Sequence, residues 1–71
     1  MELTKTQIKA AGITYTELAS ACGVSSAAIA QQPANEPLGE KYQYLLLRGS
    51  KEAQSIRRKT LRHLKKLEDE K

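Results

Sequence analysis

The sequence predicts an all-α fold, a compact domain of four to five helices ending in a long basic helix. Three patterns carry that expectation. The front of the chain repeats one arrangement three times: an apolar residue, a Ser or Thr, then an apolar residue four positions beyond the hydroxyl. This is a hydrophobic staple around an N-cap. A stripe of Leu38, Tyr42, Leu45 and Leu46 follows at helical spacing, and a seam of Ala53, Ile56, Thr60, Leu64 and Leu67 occupies the last third.

Each element follows from its caps. Leu3-Thr4 precedes Gln7 and Ile8, so Thr4 caps the first helix while Gln7 reaches back, and Gly12 ends it in a left-handed turn. Ile13-Thr14 precedes Glu17 and Leu18, a full capping box with its staple. Leu18, Ala19 and Cys22 then line one face of the second helix until Gly23 ends it. Val24-Ser25 precedes Ala28 and Ile29, and the third helix runs from about Ser26 until Pro33 disfavours helical geometry at Gln32. Pro33 and Pro37 bracket a loop, with Pro37 suited to the first turn of a fourth helix that Gly49 stops. Ser50 caps the last helix. Helices this short are unstable alone and must pack on one another.

Seventy-one residues make one small domain with limited capacity to bury a core. One cysteine forms no intrachain disulfide, and one histidine beside it gives no zinc spacing, so no metal or cofactor is expected. Cys22 reads as a small core residue and His63 as a seam-edge residue. No clustered catalytic groups are present, which argues against an enzyme and against a small-molecule substrate. The longest strongly apolar run is Leu45-Leu46-Leu47, and no signal peptide opens the chain, so a cytoplasmic protein without a membrane span is expected.

The net charge of +4 is unevenly placed. Residues 1–50 are neutral as a whole, whereas residues 51–71 hold eight basic groups against four acidic ones. Arg57, Arg58, Lys59, Arg62, Lys65 and Lys66 form a run without an acid, ahead of Glu68-Asp69-Glu70. Such a run is either a solvated helix face or a phosphate-facing surface. Two segments are therefore expected, residues 1–49 and a basic C-terminal helix over 50–71.

The segment from Thr14 to Gln31 reads TYTELASACGVSSAAIAQ. Ala19 is small where two helices would cross, Gly23 suits the turn, and Leu18, Val24 and Ile29 would clamp the pair. The segment resembles the helix-turn-helix of Cro-like and related repressors of temperate phages, over roughly Ile13 to Gly49. VSSAAIAQ at Val24 to Gln31 is similar to their recognition helices, and GEKYQYLLLRG at Gly39 to Gly49 is similar to the helix that follows. Gln32, where that family usually has an apolar or aromatic residue, departs from the pattern, and Pro33 follows at once.

The resemblance implies a sequence-specific, homodimeric regulator of transcription, a phage or mobile-element repressor in the bacterial cytoplasm or nucleoid. Its partner would be double-stranded DNA carrying a palindromic operator. Ser25, Ser26, Ala27, Ala30 and Gln31 would then face bases or flanking phosphates, with the Gln31 amide suited to adenine and the alanines to thymine methyls. Tyr15 and Thr16 would touch the DNA backbone, although Tyr15 equally fits a half-buried packing role. A recognition helix without Arg or Lys needs phosphate contacts from elsewhere. Candidates are Lys5, Lys9, Lys41, Arg48 and Lys51, with Arg57, Arg58 and the rest of the basic run in reserve. Tyr44, Leu47, Ile56, Leu64 and Leu67 are candidates for the dimer contact. The same features also fit a protein-interaction module of antitoxin or inhibitor type, or an excisionase-like architectural factor.

Overall fold

The structure, a computed structural model, describes residues 2–70; Met1 and Lys71, the ends of the two expected segments, lie outside the described residues. Five helices follow one another: α1 (Lys5–Ala10), α2 (Tyr15–Cys22), α3 (Ser26–Ala30), α4 (Glu40–Arg48) and α5 (Lys51–Asp69). No strand occurs among the described residues.

Four of the five helices start where a hydroxyl caps them. Thr4 accepts from Gln7 N–H at 3.1 Å while the Gln7 side chain accepts from Thr4 N–H at 3.0 Å, a complete capping box. On α2 the box is half made: Thr14 accepts from Glu17 N–H at 3.1 Å, but its hydroxyl itself lies 3.3 Å from the Glu17 carboxylate. Ser25 and Ser50 cap α3 and α5 through Ala28 N–H and Ala53 N–H. Leu3 and Ile8, the first staple, are both buried in the core, as are Ile13 and Leu18, the second.

The end of α2 follows the sequence expectation closely. Gly23 is left-handed at φ 70°, its N–H donates to Ser20, and Val24 N–H reaches back to Ala19 at 3.0 Å. These two bonds satisfy carbonyls that the helix end would otherwise leave unpaired.

One boundary differs from expectation. The fourth helix begins at Glu40, with Gly39 as its N-cap, so Pro37 and Leu38 precede it. The reason is tertiary: Leu38 N–H donates to Leu3 C=O at 3.0 Å, and the Gln43 amide donates to the carbonyls of both Leu3 and Leu38 at 2.8 and 3.1 Å. Leu38 is still buried, but from a segment outside any helix. The third helix ends at Ala30 with Gln31 as its C-cap, in keeping with the effect of Pro33 on Gln32, and the Lys5 ammonium from α1 satisfies the Ala30 carbonyl left over at that end.

The core is one cluster drawn from every helix. Ile8, Leu18, Ile29, Leu46 and Ala53 are all fully buried within it. The helix α5 is not a separate unit: Ala53 and Ile56 belong to the same cluster, and α5 packs against α1, α2 and α4. The expected division at residue 50 is therefore a change in charge, not a boundary between packed bodies. Thr60, in the middle of the expected seam, is fully buried and donates its hydroxyl to Ile56 C=O at 2.8 Å, which removes the cost of an unpaired buried polar group. Leu61 and Leu64 are partly buried against the core, and the far end of the seam, Leu67, is exposed.

Candidate nucleic-acid interface

The helices α2 and α3 are joined through Gly23, Val24 and Ser25. Ala19, only 3% exposed, sits where small size was expected, and Leu18, Ile29 and the partly buried Val24 close the pair. On α3 only Ile29 is buried. Ser25, Ser26, Ala27, Ala30 and Gln31 are all exposed, so the structure brings these five predicted residues onto one accessible element. The Ser25 oxygen accepts from Ala28 N–H, which leaves its hydroxyl proton free to donate outward. Thr16 is exposed on α2.

Tyr15 and Lys5 are placed differently from the phosphate-contact role. Lys5 is only 8% exposed, and its ammonium donates to Ala30 C=O at 2.7 Å while lying 5.4 Å from the centre of the Tyr15 ring. Lys9 approaches the same ring at 5.1 Å. Tyr15 is thus half-buried with both ammonium groups close to its ring, while Lys5, buried and spent on Ala30, is removed from the set of phosphate ligands. Burial of the lysine stem with its charge spent on a helix-end carbonyl explains why a side chain that reads as a surface cation lies inside. Nothing in the sequence marks this pairing, since its partners are 25 residues apart.

Together with a bond from the Thr6 hydroxyl to Ala34 C=O at 2.8 Å, Lys5 anchors the end of α3 and the loop beyond it to α1. Lys5→Met keeps the apolar stem and removes the donor. It is expected to cost about 1 to 3 kcal/mol, read as a fall in the thermal midpoint of roughly 4 to 8 °C per kcal/mol. A midpoint within 2 °C of wild type would show that Ala30 finds another donor.

The other candidate cations are distributed around the surface. Lys9, Lys41, Arg48, Lys51 and Arg58 are exposed, and Arg57 is half-buried. An open groove of about 670 Å³ runs between α2 and α5, with Thr16 and Ser20 on one wall and Lys51, Arg58 and Lys59 on the other. Arg57 does not line it. Of the dimer candidates, Ile56 is only 6% exposed inside the protomer core and is withdrawn, because a residue already packed there has no surface to offer a partner. Tyr44, Leu47 and Leu67 are 62%, 52% and 45% exposed, and Leu64 is half-buried.

Burial pushes the Cys22 thiol pKa up, with the Lys41 charge opposing it weakly. The thiol therefore stays protonated at neutral pH, which suits a core residue and not a nucleophile. Among the described residues no group of three or more His, Cys, Asp or Glu is arranged to hold a metal ion, and no helix is long and apolar enough to cross a membrane.

The arrangement defines a class of small all-α domain that presents one short, firmly held helix to its surroundings beside a groove lined by three cations and two carboxylates. The sequence matches no protein-family model, and no curated protein or solved structure is significantly similar to it.

Proposed function

We propose that the protein is a sequence-specific DNA-binding regulator, a homodimeric repressor that uses α2 and α3 as a helix-turn-helix. The observation that carries this reading is the way α3 is held. A five-residue helix has almost no stability of its own, yet this one is seated by Ile29, capped by Ser25 and tied at its end by Lys5. That support presents a small, neutral face of methyls, hydroxyls and one amide, which matches base edges in a major groove better than it matches an apolar partner. The resemblance to Cro-like phage repressors points the same way.

In this reading Gln31 reads a base, Ala27 and Ala30 rest on thymine methyls, and Ser25, Ser26 and Thr16 contact flanking phosphates. The exposed Tyr44, Leu47 and Leu67 supply surface for a second copy. A dimer would set two α3 helices about 34 Å apart and select a near-palindromic site. If each of two protomers neutralises about three phosphates, log K falls with log salt at a slope near −5.

Random-site selection with the full chain tests the reading, with the mass of the free and bound protein measured in parallel. A palindromic consensus and a dimer mass are expected. Gln31→Ala is expected to lose about 1 to 3 kcal/mol of discrimination at one position of each half-site while the salt slope stays unchanged. Selection that returns no consensus would instead favour a protein-interaction module, and phased multiple sites with a long footprint would favour an architectural factor.

A further inference from the structure

The proposed repressor needs cationic phosphate contacts, which α3 does not supply, and the groove between α2 and α5 holds three cations that could supply them. We infer that this groove seats one strand of the DNA phosphodiester backbone, with Lys51, Arg58 and Lys59 as its cations and Thr16, Ser20 and Ser55 as its hydroxyl donors. The inference rests on the DNA-binding reading above and assigns Ser20 and Ser55 roles that the sequence did not single out.

The geometry follows from how α5 is attached. The Ser50 hydroxyl donates to Ala21 C=O at 3.1 Å, which pins the start of α5 to the last turn of α2. From there α5 packs beside α2, and residues Thr16 to Ala21 share the groove with residues Lys51 to Lys59. That stretch of α5 is about 12 Å long at 1.5 Å per residue, room for more than one phosphate of a strand whose phosphates rise about 3.4 Å each along the duplex axis. On α5, Ala53, Ile56 and Thr60 face the core. Helical periodicity sets Lys51, Ser55, Arg58 and Lys59 off that core face, and all four line the groove.

The occupant follows from charge and position. Cations with hydroxyl donors suit phosphate oxygens, which accept from both. The helix α2 packs against α3 as well as α5, so it stands between the base-reading element and the groove. A backbone strand lying in the groove would flank the bases that α3 reads. Two carboxylates also line the groove and oppose an anion: Glu17, which lies 3.3 Å from the Thr14 hydroxyl, and Glu52 in the first turn of α5. They limit affinity and make the occupant testable by charge.

The experiment measures binding of the full chain to a mixed-sequence duplex over a range of salt concentrations. Arg58→Ala with Lys59→Ala is expected to flatten the slope by about 2 per bound protomer. The charge-matched pair Lys65→Ala with Lys66→Ala, outside the groove, is expected to flatten it by less than half as much. Ser20→Ala with Ser55→Ala should weaken binding roughly tenfold at fixed salt without changing the slope, and Glu52→Gln should tighten it. The inference is overturned if both cation pairs flatten the slope equally, if the groove pair has no effect, or if polyglutamate competes as well as duplex does. A groove pair without effect, beside a Gln31→Ala variant that still shifts base preference, sinks the groove alone. If the wild-type chain binds no duplex at any salt, both readings fall together.

Discussion

Ile29→Ala is expected to destabilise the protein by about 2 to 5 kcal/mol. The domain's whole stability is on the order of 4 to 10 kcal/mol for a chain of this length, so a large part of it would go with one side chain. Ile29 is fully buried and is the only buried residue on α3. Its loss leaves a cavity beneath a helix that has no other apolar anchor, and neither the Ser25 cap nor the Lys5 tie replaces packing. The thermal midpoint should fall by at least 10 °C, whereas Ala27→Ser, on the exposed side of the same helix, should change stability by less than about 0.5 kcal/mol. Equal, small effects at the two positions would mean that α3 is not seated on the core, and the presentation of Gln31 would lose its structural basis.

The second large effect is expected at Gly49. In sequence Gly12, Gly23 and Gly49 look alike, each following a helix. Their environments differ. Gly23 has a left-handed φ of 70° and open space around the position a Cβ would take, so Gly23→Ala should cost about 1 to 2 kcal/mol of conformational strain. At Gly49 φ is negative, but an added Cβ would run into the backbone carbonyl of Leu45, with Leu45 Cα at only 3.0 Å. That carbonyl also accepts the Gly49 N–H at 2.7 Å, so it cannot swing away without releasing the bond that closes α4. Gly49→Ala is therefore expected to cost on the order of 3 kcal/mol, more than Gly23→Ala. In urea titrations the midpoint should drop with the slope unchanged. The reverse order would show that the α4–α5 junction relaxes freely.

These effects bear on function because α4 and α5 meet at Gly49 and Ser50, where α5 is also pinned to α2. A shift at the junction would move the cations of α5 relative to Thr16 and Ser20. Reduced DNA affinity in Gly49→Ala at a temperature where it remains folded, with the base preference governed by Gln31 intact, would connect the junction to the groove.

Much of the fold was legible because its signals are local. Caps at Thr4, Thr14, Ser25 and Ser50, and the glycine that ends α2, act within four or five residues, so residue type and spacing suffice to find them. Apolar periodicity likewise marked the buried faces, from Leu18 and Ile29 to Tyr42 and Leu46. The candidate site was partly legible for the same reason: exposed positions on α3 follow once Ile29 is known to point inward.

What the sequence by itself determined, then, was the all-α class, the order of the helices and which side of each faces inward, through short-range hydrogen bonding and helical period. Only the tertiary structure decided where long side chains spend their charge and where a helix begins when a distant backbone group competes for it. Lys5 went inward to Ala30, Leu38 stayed out of the helix to bond Leu3, and Ile56 joined the protomer core. The basic last helix acquired a position, alongside α2, that net charge alone does not specify. The physical reason is range: caps and periodicity act over one or two turns, whereas a lysine's reach or a groove between two helices depends on residues that become neighbours only when the chain folds.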